Sequence, residues 1–179
     1  GGMWYGYRKL QSFAGGDGPA TMVIGASVDR VFASLADGDS IPDWMAVSGD
    51  VRPSRHGSLR RGDTLRVTSR ESSGTQRMGM TWIVAEVTPS KQLGLQMRDD
   101  SLGVVAARRT YTLETRGDST VILATVTSPM IDSIRTARRD STAGGAVLGF
   151  ASKLMLSALR MQSRVELMQL KARIEARTP

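Results

Sequence analysis

The spacing of apolar and polar residues changes period twice along the chain, and the two changes outline a fold. Residues Ala14–Pro19 carry no periodicity and read as a flexible linker, because Gly and Pro there favour turns over regular structure. Thr21–Gly25 reads as a short strand. Ser27 is then a candidate N-cap, and Val28, Val31, Phe32 and Leu35 recur at helical spacing, so a helix is predicted up to Asp37-Gly38-Asp39. A second short helical turn starts at Ile41-Pro42-Asp43-Trp44.

From there to residue 128 the period is two. Strands are predicted over Asp50–Arg55, Thr64–Ser72, Gln76–Val87, Gln92–Arg98, Val104–Thr115 and Thr120–Thr127. Turn residues separate several of them, notably Arg61-Gly62-Asp63, Pro89-Ser90 and Arg116-Gly117-Asp118. Short turns between successive strands imply antiparallel neighbours in a meander. Pro129 stops the last strand, and a loop runs through Arg138-Arg139 to Gly144-Gly145. From about Ala146 to Arg177 only Gly149 interrupts a long helical pattern. At 1.5 Å per residue such a helix spans roughly 45 Å, enough to cross a whole sheet.

One strand, two short helices, an antiparallel meander and a long C-terminal helix is the helix-grip order. Val31-Phe32-Ala33-Ser34-Leu35, Ile41-Pro42-Asp43-Trp44, Arg61-Gly62-Asp63-Thr64 and Met80–Pro89 resemble the SRPBCC superfamily, the START-like and polyketide cyclase/dehydrase fold. Glu166–Glu175 is similar to the end of that family's gripping helix. The resemblance covers about residues 20–179. It implies an α+β domain in which a curved antiparallel sheet wraps around the C-terminal helix, with an apolar cavity between them. It implies no single activity, because this fold hosts carriers, cyclases, oxygenase domains and sensors.

Strand parity then nominates the cavity wall. Met78, Met80 and Trp82 alternate onto one face of their strand, and Leu95, Met97 and Tyr111 hold the matching positions on theirs. From the helix, Phe150, Leu154 and Met161 would complete the wall. A Met-rich surface suits an irregular hydrophobic ligand; the alternative is that these side chains meet and fill the interior. Arg109 shares the parity of Tyr111, and if that face is inward it can anchor a carboxylate or phosphate with Tyr111 as a second donor. A register slip of one residue would put Arg108 and Thr110 there instead.

On the long helix, Phe150, Leu154, Ala158, Met161, Val165, Met168 and Ala172 form one apolar line, expected to face the sheet. Leu156, Leu167, Leu170 and Ile174 form another, roughly opposite part of the first; either loops of the domain cover it or it is left for a partner protein or the membrane interface. Lys153, Arg160, Arg164 and Lys171 make a basic line between them.

Composition narrows the chemistry. The 179 residues include no Cys and one His, which removes disulfide frameworks, thiolate zinc sites and cysteine nucleophiles, and leaves little for other metal or Ser-His-Asp chemistry. His56 itself sits in an Arg-His-Gly turn. No catalytic set, metal site or cofactor is assigned. The net charge of +7 favours anionic partners, but no basic tract is interleaved with aromatics as nucleic-acid stacking requires. Arg135, Arg138 and Arg139, before the helix, would strengthen attraction to an anionic membrane surface.

The chain begins Gly1-Gly2-Met3, followed by Trp4, Tyr5 and Tyr7 and then Arg8 and Lys9. Aromatics followed by cations are the usual cytoplasmic flank of a membrane helix. The segment 1–19 is therefore read either as a tag remnant with an aromatic patch or as a membrane-proximal flank, and 20–179 as the domain. The leading expectation is non-catalytic binding of a hydrophobic small molecule or lipid, in a cytoplasmic protein peripheral to or anchored at the membrane. Two alternatives stand beside it: an accessory subunit docked on a membrane protein complex, and a small cyclase or dehydratase acting on an aromatic or polyketide-like substrate.

Overall fold

The computed structural model describes residues 19–45, 49–68, 79–99, 104–130, 132 and 144–176. Seven strands form one antiparallel sheet: β1 (Ala20–Ile24), β2 (Asp50–Pro53), β3 (Thr64–Thr68), β4 (Gly79–Thr88), β5 (Gln92–Asp99), β6 (Val104–Arg116) and β7 (Ser119–Thr127). Their spatial order is β1-β7-β6-β5-β4-β3-β2, so β2 to β7 form the meander and the chain's first strand closes onto its last. Three helices complete the domain: α1 (Val28–Leu35), α2 (Ile41–Trp44) and the 32-residue α3 (Gly144–Glu175). This is the α+β helix-grip architecture. The second strand stops at Pro53, two residues short of the sequence reading. Beyond it Ser54 N–H still donates to Thr64 C=O (2.8 Å), but Thr64 N–H donates to the Ser54 hydroxyl (2.9 Å).

The turns are built as their residues require. At Arg61-Gly62-Asp63 the backbone needs φ +93° at Gly62, Asp63 N–H donates to Arg60 C=O (3.0 Å), and the Asp63 carboxylate accepts from Arg60 N–H (2.7 Å). Only glycine takes that φ without strain. Asp37 stops α1 in a comparable way, accepting from Ser40 Oγ at 2.6 Å. Pro42 in the first turn of α2 supplies a preset φ where no N–H partner is needed.

Two register shifts bend the sheet. One lies between Val84 and Glu86 on β4 and the other between Met97 and Arg98 on β5, and each leaves an unpaired residue that sharpens the local twist. The sheet curls as a half-barrel, and its inward positions form one core with α1, α2 and α3. On β7, Thr120, Ile122, Ala124 and Val126 all point in. Leu65, Trp82, Val84, Leu93, Leu95, Tyr111 and Leu113 continue that surface across the sheet.

The long helix is tied to the start of the domain at its C-terminal end. Glu175 accepts from Gly25 N–H (2.9 Å), Arg30 donates to Ile174 C=O (3.2 Å), Lys171 donates to Val23 C=O (2.8 Å), and Arg173 pairs with Asp43.

The face that α3 presents to the sheet corrects the sequence reading. Leu167 and Leu170 are 0% exposed, Ile174 2% and Leu159 9%, whereas Met161 is 54% and Met168 60% exposed. The line expected to meet a partner is therefore in the core, and the described part of the line expected to face the sheet is in solvent. A helix with two opposed apolar lines has no unique inward face from periodicity alone. The inward one carries the larger, branched side chains, which fill a core better, together with the polar residues Ser163 and Glu166, both 0% exposed.

Candidate functional site

At the centre of the sheet, β6 delivers two polar side chains inward. Its parity places Ala107, Arg109, Tyr111 and Leu113 inside and Arg108 outside, so Arg109 and Tyr111 take the positions their alternation predicts. Arg109 stands opposite Leu95 on β5 and Val126 on β7, and is 0% exposed. A lone guanidinium there would be very costly, and α3 supplies the counter-charge.

Arg109 Nη1 donates to Glu166 Oε2 at 2.6 Å. The Tyr111 hydroxyl donates to the same oxygen at 3.0 Å, and Gln162 Nε2 donates to the other at 3.0 Å. Nη1 also lies 3.4 Å from the Tyr111 hydroxyl.

Aromatic rings surround this cluster. The Trp82 ring lies under the Arg109 guanidinium, with Cζ 4.9 Å from its centroid, a cation–π contact of about 1–2 kcal/mol when desolvated. Trp44, from α2, meets Tyr111 edge-on at 5.8 Å and 88°. The tryptophan of the Ile-Pro-Asp-Trp turn is thus part of the site, and the sequence reading had not assigned it there.

Burial tunes each group. The Tyr111 hydroxyl is pushed far above its ordinary value, first by desolvation and then by the Glu166 charge, so it remains a proton donor. Burial also pushes Glu166 upward, against the opposing pull of Arg109, Tyr111 and Gln162. Burial works against the Arg109 charge, but contact with Tyr111 and Glu166 leaves its pKa raised.

The cluster is not saturated. Arg109 Nε and Nη2 are buried without a hydrogen-bond partner, and so is Trp44 Nε1. Such donors cost about 1–3 kcal/mol each when left unmet, and native interiors leave few of them.

Of the other residues nominated from sequence, Trp82 and Leu95 are buried, and Met80 and Met97 are half-buried. Leu156 packs against the core from its margin. Met161 points away from the interior, so it is withdrawn from the cavity wall. Leu167, Leu170 and Ile174 are withdrawn as partner contacts, because the domain itself covers them. Trp4, Tyr5, Tyr7, Arg8, Lys9, Met78, Arg135, Arg138 and Arg139 lie outside the described residues, as do the side chains of Phe150 and Leu154. Among the described residues no group of acidic or His side chains has metal-binding geometry, and no helix is long and apolar enough to cross a membrane.

Glu166 was missed. Its signal was an acid at helical spacing from Ser163 and Leu170, on the line set aside for a partner; an inward arginine requires such an acid.

A half-barrel gripping a helix, with a polar cluster sealed between them, defines a START-like helix-grip domain of the SRPBCC superfamily. The chain belongs to the polyketide cyclase / dehydrase and lipid transport family, whose model matches residues 19–175. Solved structures agree in fold. The protein TTHA0849 from Thermus thermophilus is 14% identical over 90% of this chain and 98% of its own, with a TM-score of 0.59. The di-domain ARO/CYC StfQ from the steffimycin biosynthetic pathway is 12% identical over 95% of this chain and 54% of its own, with a TM-score of 0.59. SA2116 from Staphylococcus aureus is 10% identical over 88% of this chain and 93% of its own, with a TM-score of 0.58. No curated protein matches the chain.

Proposed function

We propose that this protein binds an apolar small molecule carrying an uncharged oxygen acceptor, held between the sheet and α3 with Arg109 as its polar anchor. The observation that carries this reading is the fully buried Arg109, which spends one nitrogen on Tyr111 and Glu166 and leaves Nε and Nη2 unmet. Trp44 Nε1, on the ring packed against Tyr111, is a third unmet donor. A ketone, ester or hydroxyl oxygen would satisfy them. A carboxylate fits less well, because Glu166 already neutralises Arg109 and a second anion would compete with it. The family description, which spans polyketide chemistry and lipid transport, supports ligands of this class.

The test is quenching of tryptophan fluorescence by a flat aromatic polyketone, beside a hydrocarbon of the same ring shape. The ketone should bind at least tenfold more tightly than the hydrocarbon, and Arg109→Met should abolish that preference. Equal binding of the two compounds to the wild-type protein would refute the anchor.

A cyclase or dehydratase remains the second reading, favoured by one observation. Glu166 is a buried carboxyl whose pKa is pushed upward, in contact with a phenol that stays protonated, and such a pair can donate and accept protons. That reading requires product formation from a polyketone substrate that fails in Glu166→Gln.

A further inference from the structure

The outer face of the sheet carries a line of arginines that the domain does not answer. On β2 and β3, Arg52 and Arg66 are paired directly opposite each other, and both are exposed. The register continues from Arg66 to Thr81 on β4, and the pairing of Trp82 with Met97 brings Arg98 on β5 beside Thr81. Arg98 is exposed, whereas Met97 before it packs against the core, as strand alternation requires. On β6, Arg108 stands opposite Gln96, one strand beyond Arg98 and two residues along, and is exposed as well. At about 4.8 Å between neighbouring strands, these cations form a row about 19 Å long from β2 to β6. Thr68, Thr81, Ile83 and Gln96 fill the spaces around it, all half-buried.

Among the described residues, the side chains of Arg52, Arg66, Arg98 and Arg108 make no ion pair or hydrogen bond. The acids on the same face do not serve them. Asp50, two residues before Arg52, is engaged elsewhere. Glu86, beyond the register shift of β4, accepts from Gln92 Nε2 at 2.8 Å. Like charges directly opposite each other destabilise a strand pair. The Arg52–Arg66 pairing is therefore held against the interest of the fold, as groups kept for binding often are.

We infer that this row binds the sugar–phosphate backbone of a nucleic-acid duplex, at a site separate from the interior ligand cluster. The composition of the face selects the anion. None of the large apolar side chains exposed among the described residues (Val23, Met161, Val165 and Met168) lies on β2 to β6. A specific protein interface is built around an apolar core, and a stable membrane contact adds inserted apolar groups or a lipid chain to its cations. Backbone binding of nucleic acid needs the cations alone. A duplex fits this face better than a single strand, because its bases are already stacked on one another. The aromatics of these strands, Trp82 and Tyr111, both point inward, which leaves no stacking platform outside. Guanidinium forks pair bidentately with phosphate oxygens, and a row follows a line of phosphates. Contacts to phosphate carry no sequence information, so the binding is independent of sequence. The chain's net charge of +7 acts in the same direction.

The experiment is fluorescence anisotropy of a labelled two-turn DNA duplex of mixed sequence, titrated with the 179-residue chain from low to physiological salt. The logarithm of the affinity should fall against the logarithm of salt concentration with a slope of about −3 to −4, as the arginines of the row release counterions. Arg66→Gln/Arg98→Gln should weaken binding about tenfold or more at low salt and bring the slope to about −2. Its circular dichroism spectrum should be unchanged and its melting temperature no lower than that of the wild type. Lys91→Gln/Arg116→Gln removes the same charge from exposed positions at the turns and should leave the affinity within about twofold. Equal losses in the two variants would overturn the row as the site, and failure of the wild type to bind the duplex would overturn the inference altogether. Capture by phosphatidylglycerol vesicles without duplex binding, lost in Arg66→Gln/Arg98→Gln, would assign the face to a membrane instead. Ligand binding inside the domain should be the same in both variants, so failure here is distinguishable from failure of the interior site.

Discussion

The two apolar faces of α3 use similar residues to opposite ends. The inner face sets Leu159, Leu167, Leu170 and Ile174 around Ser163 and Glu166, and every one of these is buried. The outer face sets Met161, Val165 and Met168 between alanines, and all three remain exposed. Hydrophobicity alone does not separate the two. Shape and charge do: the inner line has the bulk to fill the half-barrel and carries the one acid that meets Arg109. The apolar bulk and the acid therefore lie on the same face, and Glu166 meets Arg109 with that face turned inward.

The sharpest way to break this comparison is to remove the acid. Glu166→Ala leaves Arg109 buried without a counter-charge and should cost about 3–5 kcal/mol, measured by urea unfolding. Replacing both partners, as in Arg109→Met/Glu166→Leu, should cost clearly less than Glu166→Ala alone, since it leaves no uncompensated charge. A double variant less stable than that single one would mean the pair is not coupled as described.

Next in size, Leu170→Ala on the inner face should cost about 2–5 kcal/mol through lost burial and a cavity. Met168→Ala, on the opposite side of the helix, should stay within about 0.5 kcal/mol. Comparable losses at the two positions would contradict the orientation of α3.

The smallest effect lies away from the helix. The fully exposed His56 imidazole contacts Asp39 at 2.5 Å, and that hydrogen bond, followed by the carboxylate charge, raises its pKa above 6.5. Asp39 is lowered below 3.8 by its hydrogen bonds to His56 and to Gly57 N–H. The His56 contribution is complete below pH 6.5 and is lost as pH rises through the raised folded value. The Asp39 contribution holds above pH 3.8 and is lost as pH falls through its lowered one. The tie between these two loops is therefore strongest between those limits. Proton NMR titration of His56 should show a midpoint above 6.5 that returns to the ordinary value in Asp39→Asn.

Most of the fold was legible because strand alternation and turn residues are local. Arg61-Gly62-Asp63, the parity of Arg109 with Tyr111, and the length of α3 all follow from near neighbours in sequence. What was not legible depends on contacts between distant segments. Glu166 meets Arg109 across 57 positions, and Trp44 reaches Tyr111 from a four-residue helix. The orientation of α3 belongs to the same class, because two apolar lines satisfied the pattern, and the fit of the inner line to the half-barrel and its contact with Arg109 are both made with distant segments.

The central claim is that the unmet donors around Arg109 receive a ligand oxygen. Its most direct test is a proton–nitrogen correlation spectrum of the labelled protein, following the Arg109 Nε–H and the Trp44 indole N–H during saturation with an aromatic polyketone. Both signals should move downfield and slow their exchange with solvent as the ketone binds, while the exposed His56 turn stays unchanged. Saturable binding that leaves both resonances in place, with shifts elsewhere, would contradict the account.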